Sequence, residues 1–193
     1  MADEELKARI NRIAEGLTTR WDYRPVAEGI VEMARRHLPV DVPVALGCAL
    51  CHKESWCRII FGCDWGDGSN HGKDWVHNPP FCQILVTNDR VDRLIANYYK
   101  PPVGLGANGV GLTQLTTMTL VEDAHNREGG AAHPPNQLHV GFEYLAGLIE
   151  LYGVRHGLAA YNGGPGNRFN TIPQAYAEDV IAKRNWWQNR LWP

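Results

Sequence analysis

The chain has no excess of charge of either sign and no long apolar run. Lysine and arginine together number 19, and aspartate and glutamate number 21, so the formal net charge is -2. A charge this small gives no electrostatic basis for binding nucleic acid, and we expect no nucleic-acid partner. No apolar stretch approaches the roughly 18 residues that a membrane-spanning helix needs, so we expect no membrane insertion.

The amino-terminal segment lacks the features of a secretory signal. It carries Asp3, Glu4 and Glu5 where a signal peptide would have a basic region followed by an apolar one. We therefore expect a chain that is made in the cytoplasm without a signal peptide. Any target outside the cell would have to be reached by another route.

Cysteine is odd in number, so the five cysteines cannot form a fully paired disulfide scaffold. Three interpretations stay open: buried reduced thiols, a disulfide from Cys57 or Cys63 to Cys82, or a zinc site. The spacing lacks the second close pair of a zinc ribbon, since only Cys48 and Cys51 are near neighbours. We expect no metal and no cofactor.

Helical periodicity dominates a chain of 193 residues, which is long enough to bury a core. Asp41 predicts the N-cap of a helix with Pro43 in its first turn. We expect the helices of residues 1–40 to pack on a main unit of residues 41–193, in a monomer that is one compact unit overall. The pattern predicts helices at 3–17, 25–38, 41–56, 89–99, 117–126, 136–152, 154–161 and 174–191.

One irregular region, residues 57–88, interrupts the helices and is rich in glycine and proline. Two short β-like runs, Arg58–Phe61 and Phe81–Val86, flank it and could pair as a hairpin. The sequence thus predicts an α+β fold that is mostly helical, with a small β-hairpin and loop element.

Three short segments carry the chemistry. Lys53-Glu54-Ser55 places a carboxylate beside an apolar, cysteine-rich run, where burial would raise its pKa and make it a general acid. The segment Gly111–Gln114 presents an amide among glycines, which allow a bulky ligand to come close. The third segment, residues 160–166, places a tyrosine and an asparagine before a Gly/Pro turn.

In this order the segments resemble the soluble lytic transglycosylases and goose-type lysozymes, which cut the glycan strands of peptidoglycan. The helix that begins at Asn136 and the stretch Gln174–Val180 are weaker matches, and the resemblance covers about residues 42–180. It implies a lysozyme-like fold with Glu54 as the catalytic acid and Tyr161 hydrogen-bonded to it. The substrate contacts that it implies fall on Ser55, Thr113, Gln114 and Asn162, with Thr113 standing where the family has methionine.

The long spacing between Glu54 and Gln114 departs from those enzymes. A Phe-Gly-x-Asp run that ends at Asp64 resembles the lysozyme-like domains of phage endolysins from actinobacterial hosts. That resemblance implies release through membrane holes made by another phage protein, and action on the cell wall.

The mechanism depends on whether a second carboxylate exists. A hydrolase would use one, for which Asp64 is the first candidate and Asp67 the second, whereas a lytic transglycosylase needs Glu54 alone. The same loop offers Trp65 and Trp75 either as sugar-stacking rings or as packing residues. A cation site at Asp64, Asp67, His71 and Asp74 fits neither an EF-hand nor a zincin helix, so we expect none.

The leading hypothesis is therefore an enzyme that cleaves the β-1,4 bond between N-acetylmuramic acid and N-acetylglucosamine, with peptidoglycan strands as its partner. The alternatives are a non-catalytic wall-binding module, which is possible because fold does not fix function, and a chitinase-like glycosidase. A Cys/His peptidase is a weaker hypothesis, because no nucleophile motif surrounds any cysteine.

Overall fold

The computed structural model describes residues 2–17, 26–62, 84–99 and 109–193. Within these ranges it has seven α-helices and one short 3-10 turn, Pro165–Asn167, and the predicted helices are confirmed in position. The helices are α1 Asp3–Gly16, α2 Ala27–His37, α3 Pro43–Ser55, α4 Asn88–Tyr98, α5 Met118–Asn126, α6 Pro134–Gly163 and α7 Thr171–Leu191.

Helix α3 lies at the centre of the molecule. Almost every residue from Val44 to His52 is buried, because the sequence of this helix is apolar around its whole circumference. It packs against α2 and α7, and α6 packs against the same two helices. The N-cap is Val42, not the predicted Asp41; it has no side-chain cap, and Pro43 begins the helix.

Helix α6 changes direction at Gly153, whose φ of 74° is readily adopted only by glycine. The predicted stop at this residue is confirmed. Beyond it the chain folds back, and a Cβ on Gly157 would lie 2.9 Å from the backbone of Ile149. Glycine at 157 therefore lets the two halves of α6 come into backbone contact.

The predicted hairpin is not seen in the described residues. Isolated antiparallel bridges take its place, joining Ile60 to Leu85, Phe61 to Val110 and Val110 to Leu115. Ile60 thus pairs with Leu85, in the second predicted run. The neighbouring Phe61 pairs with Val110, which lies about 50 residues further along the chain. No regular sheet forms in the part of the chain that the structure describes.

The amino-terminal helices are tied to the rest of the chain by side-chain bonds to helix ends. Asn11 Oδ1 accepts the N–H groups of Val26 and Ala27 at the start of α2, at 3.1 and 3.0 Å. Arg9 donates to the carbonyl of Leu191 at the end of α7, at 3.0 Å. The division of the chain at residue 40 stays a prediction.

Cys48, Cys51 and Cys57 are buried and free, and burial raises the pKa of the Cys57 thiol to about 12. Cys57 therefore does not pair with Cys82, and Cys63 and Cys82 lie outside the described residues. The described residues contain no group of three metal-ligating side chains. In the same ranges, no helix has both the length and the apolar character needed to cross a bilayer.

Candidate active site

Glu54 lies in the last turn of α3 and faces α7. The hydroxyl of Tyr176, a residue that is 7% exposed, donates a hydrogen bond to Glu54 Oε1. A carboxylate is disfavoured at the carboxyl end of a helix, where the backbone carbonyls already concentrate negative charge. The end of α3 thus places the Glu54 carboxyl group at the interface with α7, in surroundings that favour its protonated form.

Burial raises the pKa of Glu54 to about 7, although the hydrogen bond from Tyr176 and the charge of Lys53 act in the opposite direction. The protonated form of Glu54 is therefore available near neutral pH. An acid whose pKa is near the working pH can both give and take a proton, which is the property that general acid–base catalysis needs.

A second carboxylate, Asp179, lies one helical turn beyond Tyr176 on α7. Its two oxygens accept hydrogen bonds from Lys53 at 2.7 Å and from Lys183 at 2.5 Å. Burial would raise the pKa of Asp179, but the two lysines outweigh that effect and lower it. Asp179 therefore stays charged and holds Lys53 beside Glu54.

The segment Gly111–Gln114 lies against the end of α3, and three consecutive carbonyls accept bonds from three side chains. Ser55 donates to the carbonyl of Leu112 at 2.9 Å, and Tyr161 donates to that of Thr113 at 2.7 Å. The amide of Gln114 donates to the carbonyl of Gly111 at 2.7 Å. Side chains from α3, α6 and the segment itself therefore fix its backbone.

Gln137, a buried residue of α6, holds the segment from the other side. Its Oε1 accepts the N–H of Leu112 at 2.8 Å, and its backbone carbonyl accepts the hydroxyl of Thr113 at 3.2 Å. A Cβ on Gly141 would overlap the Thr113 side chain, so glycine is needed for this close approach. The sequence analysis missed Gln137, although it singled out Asn136 beside it.

Among the described residues, the non-glycine residues with positive φ are Trp56 at 55°, Cys57 at 58° and Gln114 at 49°. All three lie in the two segments that surround Glu54, where α3 ends and where the glycine-rich segment turns. Such conformations cost free energy and persist only where the surroundings hold them, and they are concentrated at functional sites.

The predicted hydrogen bond between Tyr161 and Glu54 is wrong, because the Tyr161 hydroxyl donates to Thr113 instead. Tyr176 donates to Glu54 in its place. Tyr176 belongs to the stretch Gln174–Val180 that the sequence analysis quoted as a weak match. A tyrosine in that matching stretch is the signal in the sequence that points to this role.

Ser55 and Thr113 are buried, at 2% and 0% exposure, and both bind backbone groups. Both hydroxyls therefore position the segment, and the predicted substrate contacts of Ser55 and Thr113 stay predictions. Both N–H groups of the Gln114 amide are used as well, by the carbonyls of Gly111 and Ile60. Asn162 is exposed on the last turn of α6, and its predicted contact with substrate stays a prediction.

The remaining predicted side chains lie outside the described residues. They are Asp64, Trp65, Asp67, His71, Asp74 and Trp75.

His52 and the described cysteines do not form a nucleophile–base pair. The His52 ring packs among Trp56, Trp186 and Trp187, and burial lowers the pKa of His52 to about 4. Burial also holds the pKa of the neighbouring Cys51 thiol well above its usual value, so this thiol stays protonated. This environment disfavours the peptidase hypothesis for the cysteines that the structure describes.

Residues 97–183, a little under half of the chain, match the model of the family described as the Transglycosylase SLT domain. The matched segment includes Gln114, Tyr161 and Tyr176 and begins after Glu54. The predicted resemblance to lytic transglycosylases, within the lysozyme-like superfamily, is confirmed for this segment. The match gives no support to a phage endolysin origin. Neither the comparison with curated proteins nor that with solved structures found a match.

Proposed function

We propose that the protein is a lytic transglycosylase that cleaves the β-1,4 bond between N-acetylmuramic acid and N-acetylglucosamine in peptidoglycan, with Glu54 as general acid. One observation carries the proposal: a half-buried carboxylic acid, Glu54, whose pKa is raised to about 7, is hydrogen-bonded to Tyr176, a residue of the matched segment. An acid in this state can protonate the oxygen of a glycosidic bond at neutral pH.

In the proposed reaction, protonated Glu54 gives its proton to the glycosidic oxygen as the bond to the muramic acid C1 breaks. The Glu54 carboxylate then takes a proton from a hydroxyl of the same muramic acid, whose oxygen bonds to C1. The products are a free N-acetylglucosamine end and an anhydro-muramic end, and Glu54 returns to its protonated form. No water is consumed, so the reaction needs one carboxylate.

The charges around Glu54 favour this one-acid reaction. Tyr176 and Lys53 are the groups whose interactions lower the pKa of Glu54, and Asp179 is bound to two lysines. No second carboxylate contributes to the Glu54 pKa among the residues that the structure describes. A muramidase that uses Asp64 is the competing proposal, because inverting and retaining hydrolases both need a second carboxylate.

Tyr176 has the part of a positioning residue in the proposed reaction. Its hydroxyl fixes the Glu54 side chain in one orientation and stabilises the carboxylate formed after the first proton transfer. Because the Tyr176 side chain is buried, its hydroxyl has little freedom to turn away from Glu54.

We also propose that the protein acts on the cell wall after release from the cell that makes it, as a monomer. Its origin in an actinobacterial phage remains part of this proposal.

Mass spectrometry of the soluble products of purified peptidoglycan tests the proposed function. The wild type is expected to release anhydro-muramic ends, and Glu54→Gln to release none above background. Reducing ends would favour the muramidase and Asp64, whereas cleavage of chitin oligosaccharides alone would favour a chitinase-like specificity. Binding without cleavage by the wild type would contradict the enzyme and favour a wall-binding module.

A further inference from the structure

A cluster of three rings and one arginine lies at the corner that α6 makes at Gly153. The guanidinium carbon of Arg168 lies 4.4 Å from the centre of the Tyr152 ring and 4.3 Å from that of Phe169. The His156 ring meets Phe169 edge-on at 5.1 Å, and Phe169 is 63% exposed. We call Tyr152, His156, Arg168 and Phe169 the Arg168 cluster.

The charge of Arg168 is held in place without a carboxylate. One of its N–H groups donates to the carbonyl of Pro165 at 2.5 Å, and the two rings hold the guanidinium. Within the described ranges no acidic side chain forms an ion pair with it, whereas Arg155 on the same corner pairs with Glu178. Arg168 therefore presents an ordered cation with further donors to a ligand.

Aromatic residues connect this cluster with the Glu54 site along α6. Tyr161, whose hydroxyl holds the Thr113 carbonyl, has its ring 5.7 Å from that of Tyr144. Tyr144 and Tyr152 are both half-buried, and eight helical residues separate them by about 12 Å. Tyr161, Tyr144 and Tyr152 thus mark positions along α6 between the Glu54 site and the Arg168 cluster.

We infer that the Arg168 cluster binds a carboxylate-bearing sugar of the same glycan strand, beyond the bond that is cut at Glu54. Sugars present apolar C–H faces that stack on rings such as the exposed Phe169. A planar guanidinium binds a carboxylate through two parallel hydrogen bonds. The inference rests on the proposed function, because that function supplies a strand whose muramic acids carry a free carboxylate wherever the stem peptide has been removed.

Binding is measured by calorimetry on the Glu54→Gln protein, so that the result does not depend on cleavage. The first probe is a soluble peptidoglycan strand stripped of its peptides, and the second is an uncharged chitin oligosaccharide of the same length. We expect the acidic strand to bind more tightly, and Arg168→Gln to weaken its binding about ten-fold while leaving the chitin oligosaccharide unchanged. Phe169→Ala is expected to weaken both probes by the same few-fold factor, since stacking does not depend on charge.

Arg12→Gln provides the matched control, because Arg12 is an exposed arginine on α1. When Arg12→Gln is added to the Glu54→Gln protein, the affinity for both probes should stay the same. The preference for the acidic strand should also shrink as salt is raised, since salt screens exposed charges. A third probe is the strand with its peptides attached. If this strand binds more tightly than the stripped strand, and the gain depends on Arg168, then the carboxylate that Arg168 binds belongs to the peptide.

Equal affinity for the stripped strand and the chitin oligosaccharide, or equal effects of Arg168→Gln and Arg12→Gln on every probe, would overturn the inference. The proposed function is judged separately, by the products of the wild type. Arg168-dependent binding without cleavage would leave the cluster in place and contradict the enzyme. Cleavage by the wild type together with binding that does not depend on Arg168 would support the enzyme and contradict the role of the Arg168 cluster.

Discussion

Two carboxylates lie in the interface between α3 and α7, and their surroundings drive them in opposite directions. Glu54 is bonded to the neutral hydroxyl of Tyr176, and burial raises its pKa to about 7. Asp179 is bonded to Lys53 and Lys183, which lower its pKa despite the cost of burial. One helical turn of α7 thus separates a neutral phenol from a carboxylate that stays charged.

The difference shows that two carboxylates of one helix interface can have their pKa values shifted in opposite directions by their hydrogen-bond partners and burial. A group that gives and takes protons needs a pKa near the working pH, and only Glu54 of this pair has one. Asp179 serves instead as a fixed negative charge that keeps Lys53 in place. Exchanging each carboxylate for its amide tests this difference directly.

The largest effect is expected on activity. Glu54→Gln should lower the rate of glycan cleavage by about 10²- to 10⁴-fold, because it removes the acid and keeps the shape of the side chain. Asp179→Asn should lower the rate by no more than a few-fold, since it removes a charge that never transfers a proton. Release of soluble fragments from labelled peptidoglycan measures both variants. Equal losses in the two would contradict the separation of roles.

The second effect is on the pH dependence of stability. The pKa of Glu54 in the folded chain lies above its ordinary value of 4.5, so its contribution to stability is complete below that pH and is lost as pH rises through 7. Glu54→Gln should therefore gain stability over the wild type by about 3 kcal/mol between pH 4.5 and pH 8.5.

Urea unfolding of the two proteins at several pH values gives this difference. Glu150→Gln, at an exposed position of α6, is the control for exchanging a glutamate for its amide. A Glu54→Gln difference that stays constant with pH would show that the folded chain does not raise the pKa of Glu54.

The third effect concerns the two tyrosines. Tyr176→Phe should lower the maximal rate about ten-fold and move the alkaline limb of the pH–rate profile to higher pH. The reason is that the Tyr176 hydroxyl stabilises the charged form of Glu54, so its loss raises the Glu54 pKa further. Tyr161→Phe should leave the limb near its original pH, because that hydroxyl binds Thr113. The opposite pattern would return the orienting role to Tyr161.

The smallest effect is the contribution of Asp179 to stability. Asp179→Asn should destabilise the protein by about 0.5 to 1 kcal/mol near neutral pH, since the paired groups are partly exposed. Because the pKa of Asp179 is lowered on folding, this contribution should disappear as pH falls through that pKa. Urea unfolding near pH 7 and near pH 3 measures it. A larger loss at the lower pH would contradict the sign of the shift.

The parts of the fold that depend on local sequence could be predicted. The apolar circumference of α3, the periodicity of α6 and its break at Gly153 all depend on residues close in sequence. Glu54 could be predicted as an acid because an apolar run precedes it in the chain. The predicted hairpin was wrong, because the backbone at Phe61 pairs with Val110 from a distant part of the chain, beside the single bridge from Ile60 to Leu85.

The site residues that were missed act across long sequence separations. Tyr176 reaches Glu54 because α7 packs against α3, and nothing near residue 54 indicates which tyrosine will be there. Gln137 follows the same pattern, since its amide is used 25 residues away at Leu112. A pattern of motifs identified the segments, but the partner of each polar atom depends on how the helices pack.

The three carbonyls of Gly111, Leu112 and Thr113 depend on side chains from different parts of the chain. The segment can therefore reach its shape only after Ser55 and Tyr161 have been brought together, which requires α3 and α6 both to pack on α2 and α7. A chain that opens locally would lose this segment first, as a unit, and with it the geometry beside Glu54. The amide of Leu112, bound to Gln137, should therefore exchange its hydrogen with solvent faster than the amides in the middle of α3 and α6. Activity would in that case appear late in refolding, as a report that the whole core has assembled.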